Sequence, residues 1–191
     1  MLIRKEWKEN ELTLEKIKIK IMSCNTLTEI LKDCNNNLGG ITELYLTDIA
    51  DLDTITIINN LVTDLTLGGT VSFTKYEFIK NSATYEANGK VDRTGIIEFD
   101  HSISFKLAKR NAVLFTEAFK LIEGNRSLIA LVKTRNDSYM LVGYEFGLVV
   151  TGIKGGSNAT IGAGPTLDIA MKGKQKKSEL QVDNTIAEGL I

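Results

Sequence analysis

Ile96-Ile97-Glu98-Phe99-Asp100-His101-Ser102-Ile103-Ser104-Phe105-Lys106-Leu107 is the stretch that decides the fold. Ile97, Phe99, His101, Ile103, Phe105 and Leu107 recur at every second position, the period of a strand with one buried face. Strands usually run about 5–6 residues, so a segment this long is expected to bend or bulge. Lys109–Glu123 then changes to helical spacing. Ala112, Phe115, Phe119 and Ile122 fall three or four apart with Ala118 beside them, and Gly124 stands where a helix would stop. Burying Phe115 and Phe119 would contribute about 1.5–3 kcal/mol each, so Phe119→Asp is expected to collapse the fold. Strand spacing returns in Ser127–Thr134 and Tyr139–Val150, around a turn at Asn136-Asp137-Ser138. Residues 94–151 thus read as a strand–helix–hairpin unit to which the other strands add.

Upstream, Leu12–Ile21 alternates Leu12, Leu14, Ile17, Ile19 and Ile21 with Lys16, Lys18 and Lys20, apart from a slip near Glu15. It reads as a strand with one cationic face, either an edge kept soluble by lysines or an arm for a neighbouring subunit. Asn25–Asp33 fits a short helix stopped by Asn35-Asn36-Asn37 and Gly39-Gly40. Ile41–Ile49 alternates again. Asp53–Ile58 and Leu61–Leu67 flank Asn59-Asn60, a hairpin turn signal. Val71–Ile79 reads as a half-buried strand with Tyr76 and Phe78 inward. Asn81–Asp92, with a turn at Asn88-Gly89, reads as the tip of a long hairpin into the next strand. Downstream, Leu148-Val149-Val150 reads as a buried strand, and residues 154–164 are glycine-rich. Thr166–Met171 alternates, and a lysine cluster follows at Lys172, Lys174, Lys176 and Lys177.

Bulk properties narrow the function classes. The 191 residues are 43% apolar and 25% charged with one proline, an ordinary globular composition with no signature of disorder. A chain this long buries roughly two-thirds of its unfolded surface and needs no staple. Its net charge of −1 lacks the basic excess of a dedicated nucleic-acid binder. Cys24 and Cys34 have no second cysteine pair or histidine cluster with which to hold zinc. No apolar run has the roughly 20 residues that span a bilayer, and residues 1–22 lack the apolar core of a signal peptide. Synthesis in the cytoplasm is therefore expected, and the sequons at Asn125, Asn136 and Asn158 are expected to be idle.

Catalytic constellations are not evident. The glycine-rich stretch runs into Pro165 and a strand, without the lysine–hydroxyl pair and helix of a phosphate loop. His101 is the only histidine and reads as a core residue. Glu77, Glu86, Glu98 and Asp100 could supply paired carboxylates for sugar cleavage, although they also fit solvated strand faces. Tyr76, Phe78, Tyr85 and Phe99 could form an aromatic platform on a sheet, with core packing as the plainer reading. No catalytic, cofactor or metal residue is assigned.

Three stretches together resemble structural tail proteins of tailed bacteriophages, of the Bacteroides-phage type. They are Cys34-Asn35-Asn36-Asn37-Leu38-Gly39-Gly40-Ile41 leading into Leu44-Tyr45-Leu46-Thr47-Asp48; Tyr76-Glu77-Phe78 followed by Ser82-Ala83-Thr84-Tyr85-Glu86; and Leu128-Ile129-Ala130-Leu131-Val132 with Tyr139-Met140-Leu141-Val142-Gly143 before Gly147-Leu148. The resemblance implies an α+β, mainly β fold: an antiparallel β-sandwich or partial barrel of the tail-tube type with one flanking helix, 109–123. It implies a β domain over 34–171, an N-terminal arm or variable segment over 1–33, and a C-terminal tail over 172–191. It also implies a non-enzymatic virion protein that forms a ring, most often a hexamer, of the tail tube, hub or neck. Such a ring lines or extends the DNA ejection channel and contacts adjacent tail or neck proteins, without a membrane or cofactor. The residues leave a second class open, a small-ligand or carbohydrate-binding β-barrel module.

Overall fold

A computed structural model of the chain describes residues 39–108, 112–156 and 165–191. The readings of Leu12–Ile21, Asn25–Asp33, Cys24, Cys34, Asn158 and the centre of the glycine-rich stretch lie outside the described residues. In chain order the elements are β1 (Ile41–Asp48), β2 (Leu52–Ile58), β3 (Leu61–Leu67), β4 (Thr74–Tyr76), β5 (Thr84–Val91), β6 (Ile97–Ala108) and α1 (Ala112–Lys120). They continue with β7 (Leu128–Thr134), β8 (Tyr139–Val142), β9 (Val149–Gly156), β10 (Thr166–Gln175), β11 (Leu180–Val182) and α2 (Asn184–Gly189). The strands form two sheets. One has seven strands in the order β2-β3-β11-β8-β7-β1-β4, and the other has four in the order β5-β6-β10-β9. The fold is a mainly β sandwich with one main helix, as the sequence predicts.

Period two explains how the sheets stack. On β6, His101, Ile103, Phe105 and Leu107 point inward; on β10, Leu167, Ile169 and Met171 do the same. They meet Leu44 and Leu46 of β1 and Leu128, Ala130 and Val132 of β7 from the other sheet. The intervening residues Tyr45, Ile129, Leu131 and Leu141 face the opposite way. With Val62, Leu65, Phe73, Leu180, Val182 and Ala187 they form a second core on the far face of the seven-stranded sheet. β7 is therefore covered on both sides, which is why Leu128–Val132 is a continuous apolar run. Each fully buried aliphatic side chain contributes about 1.5–3 kcal/mol relative to exposure.

Turn chemistry fixes several connections. Asn59 and Asn60 both take positive φ, 52° and 64°, and close β2–β3 as a two-residue hairpin, as expected. Asp137, at φ 55°, closes β7–β8 at the predicted turn.

Other expectations are overturned. Asn88-Gly89 is no turn: it lies within β5, paired to Asp100 and Phe99 of β6. Any Cβ on Gly89 would sit 2.9 Å from the Phe99 ring, so glycine is there for close packing. The chain turns instead at 92–95, where the Asp92 carboxylate accepts hydrogen bonds from the Thr94 and Ile96 N–H groups and from the Thr94 hydroxyl. The strand before it is also not its partner. β4 pairs with β1, in the other sheet. β6 pairs with β5 and β10 in unbroken register, without the expected bulge.

α1 presents a different face from the expected one. Ala118 and Leu121 are buried, with Leu114 and Phe115 packed beside them, while Phe119 is 53% exposed and Ile122 is 41% exposed. Apolar residues occur on both sides of this helix, and its docking on the first core selects the 114/118/121 stripe. Residues 172–191, expected as a C-terminal tail, complete β10 and supply β11 and α2. Leu180, Val182 and Ala187 are buried there, and β11 joins β3 in a parallel pair.

Candidate assembly surface

Among the described residues, the outward face of the four-stranded sheet carries rows of polar and oppositely charged side chains. The register sets Glu86 of β5, Ser102 of β6 and Lys172 of β10 in one row across it. The next row holds Asn88, Asp100 and Lys174, and the one beyond it begins with Lys90 and Glu98. In the other direction come Thr84, Ser104, Ala170 and Gly152, then Lys106, Asp168 and Lys154. Lys90 pairs with Asp100, Lys174 with Glu98 at 2.9 Å, and Lys106 with Asp168 at 3.2 Å. These partners hold the carboxyl of Asp100 below the usual range, the hydrogen bond from Lys90 being the largest influence. A shallow cleft of about 500 Å³ lies over Glu86, Asn88, Asp100, Ser102 and Lys172.

Among the described residues no strand lies outside β5 or β9, so both edges of this sheet offer unpaired backbone groups. All three pairings within it are antiparallel, so with four strands β5 and β9 run in opposite directions. A β9 edge set beside the β5 edge of a rotated copy would therefore continue the antiparallel order. The edges are also staggered. β5 is level with β6 residues 97–104 and β9, through β10, with 102–108, an offset of about five residues. At ~3.3 Å per residue and ~4.8 Å per strand, that is about 16 Å along for about 14 Å across the three spacings from β5 to β9. The resulting slope is about 49°, somewhat steeper than the ~35–45° typical of closed barrels.

The far end of this sheet is tied to the seven-stranded sheet by two crossing connections. Residues 143–148 carry the chain from β8 to β9, and residues 176–179 carry it back from β10 to β11. The Gly143 N–H donates to Gln175 Oε1 at 3.3 Å, and the Lys176 N–H to Glu145 Oε2 at 2.8 Å. Gly147, at φ 79°, leaves no room for a side chain, since a Cβ would lie 2.5 Å from that of Ser127. Sequence reading missed this double crossing, although the Gly-x-x-x-Gly spacing at 143–147 was a signal for it.

A buried polar chain clamps β5 and β6 to the second crossing. The Tyr85 hydroxyl lies 2.9 Å from His101 Nδ1 and donates to Glu179 Oε2 at 2.9 Å; His101 Nε2 lies 3.3 Å from the Lys177 carbonyl. Burial lowers the His101 imidazole, outweighing the carbonyl of Lys177 and the carboxylate of Glu179. Burial also raises the Tyr85 hydroxyl well above its ordinary value, with Glu179 acting in the same sense. For Glu179 burial acts upward, but hydrogen bonds from Ser178, its own N–H and Tyr85 outweigh it and hold the carboxyl below its ordinary value. His101 is thus a core histidine, 1% exposed, as expected.

The weighed ligand residues separate. Tyr85 and Phe99 face the interior beside His101, with ring centroids 6.0 and 6.3 Å from it, and Tyr76 packs edge-on against Phe105 at 6.2 Å. With Phe78 packed against the first core, the four aromatics form no exposed platform. Glu86, Glu98 and Asp100 share the charged face, while Glu77 follows β4 and lies outside every strand. Among the described residues no group of three His, Cys, Asp or Glu side chains could hold a metal ion, and no helix is long and apolar enough to cross a membrane. No protein-family model, curated protein or solved structure matches this chain.

Proposed function

We propose that this chain is a non-enzymatic structural subunit of a bacteriophage tail, closing with its copies into a ring of the tube, hub or neck. The observation that carries the proposal is the pair of open, antiparallel, staggered edges β5 and β9. Joining β9 of each copy to β5 of the next removes every free edge of that sheet, which a closed ring requires. The seven-stranded sheet covers the apolar face, so the charged face is the one left to line the bore. Six copies would contribute about 24 strands, which span roughly 115 Å at ~4.8 Å per strand before any tilt. Along that bore, lysines compensated by carboxylates would let DNA pass without holding it. The ring would be built into the virion from subunits made in the host cytoplasm, with adjacent tail or neck proteins on its two rims.

Negative-stain microscopy of the purified chain tests this reading. Rings or short tubes with a stain-filled centre are expected. Ala87→Pro and Asn88→Pro probe the interface, because one of the two removes an N–H from the open edge of β5. That variant should keep its sandwich and lose the rings. A chain that stays monomeric at every concentration would refute the proposal.

A further inference from the structure

We infer that the outer edge of β2 takes up an extended strand from a second copy of this chain, one that alternates aliphatic residues with lysines. Among the described residues β2 ends the seven-stranded sheet, with nothing paired outside it. Its inward residues Ile55 and Ile57 are only half-buried at the rim of the second core, so among the described residues nothing walls that core off here. Asp64 of β3 lies on the outward side beside Thr56, and Asp53 is the extra residue of a bulge between Leu52 and Thr54. Residues 48–67 hold four aspartates and no lysine, arginine or histidine. Asp53 and Asp64 are exposed, and no ion pair among the described residues engages them.

An added strand must therefore bring apolar side chains on one face and cations on the other. A second β2 does not qualify, because it would set aspartates against aspartates. The amino-acid sequence contains one segment with the required alternation: Ile17, Ile19 and Ile21 interleaved with Lys16, Lys18 and Lys20. Supplied by another copy, its isoleucines would cover Ile55 and Ile57, and its lysines would lie over Asp53 and Asp64. Backbone pairing would provide affinity, and the side-chain alternation would set the register. The contact is heterologous, so it links copies in series and is separate from the β5 and β9 edges.

The test uses the full-length chain, with isotope-labelled and unlabelled copies mixed and joined by a zero-length carbodiimide. Cross-links from Lys16, Lys18 or Lys20 of one isotope to Asp53 or Asp64 of the other are expected. In sedimentation, Asp53→Lys with Asp64→Lys should weaken self-association about tenfold, as should Lys16→Glu with Lys18→Glu and Lys20→Glu. Mixing the two charge-reversed chains should restore it. Cross-links confined to single copies, or association untouched by either reversal, would overturn the inference. The same cross-links should persist in the β5 proline variant, so failure here is distinguishable from failure of the ring.

Discussion

β7 and β6 are neighbours in the chain, yet they sit in opposite kinds of sheet. β7 is buried from Leu128 to Val132, with apolar residues on both faces. β6 buries His101, Ile103, Phe105 and Leu107 but turns Glu98, Asp100, Ser102, Ser104 and Lys106 to the outside. The seven-stranded sheet lies between two cores, and the four-stranded sheet covers only one. The first therefore determines whether the chain folds, and the second is free to determine what the folded chain meets.

Breaking that contrast from the β7 side has the largest expected effect. Leu131 is fully buried in the second core, so Leu131→Asp strands a charge there and should leave no cooperative melt. Leu131→Ala should retain the fold at a loss of about 2–5 kcal/mol in urea unfolding. The crossing comes next. Gly147→Val adds a Cβ against Ser127 at positive φ and should lower stability by about 1–3 kcal/mol.

Tyr85→Phe sharpens the comparison at the one polar point of the inner face of β6. It removes the hydroxyl shared by His101 and Glu179 and should lower stability by about 1–3 kcal/mol in the same assay. Acid acts on the same chain of groups. The folded His101 binds its proton less readily than the unfolded one. Stability is therefore complete above about pH 6.5 and falls as the pH drops below it. Glu179, also lowered, adds a loss of the same sign nearer the carboxylate range. Melting temperatures between pH 8 and pH 5 check the direction, and His101→Gln should flatten the upper part of that curve.

The smallest effects are expected outside both cores. Phe119 is exposed, with its ring tilted against that of Phe115 at 5.2 Å. Phe119→Asp should shift stability by about 0.5 kcal/mol or less, and a collapse would restore the helix face inferred from spacing alone.

Strand content, the Asn59-Asn60 and Asp137 turns and the inward face of β6 were legible because each follows from local periodicity or local φ preference. The errors share a physical origin. Asn88-Gly89 carries a hairpin signal, but continuous pairing with β6 keeps it extended, and Phe99 occupies the space a side chain would need. The helix has apolar residues on two stripes, and only docking chooses between them. Leu180, Val182 and Ala187 are separated by polar residues in a short segment, so nothing local announced that they close the second core. The charged face was the least legible part. Lys172 and Lys174 read as a tail cluster until the β10 register set them beside Ser102 and Asp100.

Amide hydrogen exchange along β5 and β9, compared between dilute and concentrated chain, tests ring closure most directly. The account predicts that outward-facing amides within Thr84–Val91 and Val149–Gly156 become protected together as concentration rises, while the buried amides of β7 stay unchanged. Association that leaves both edges exchanging freely would contradict it.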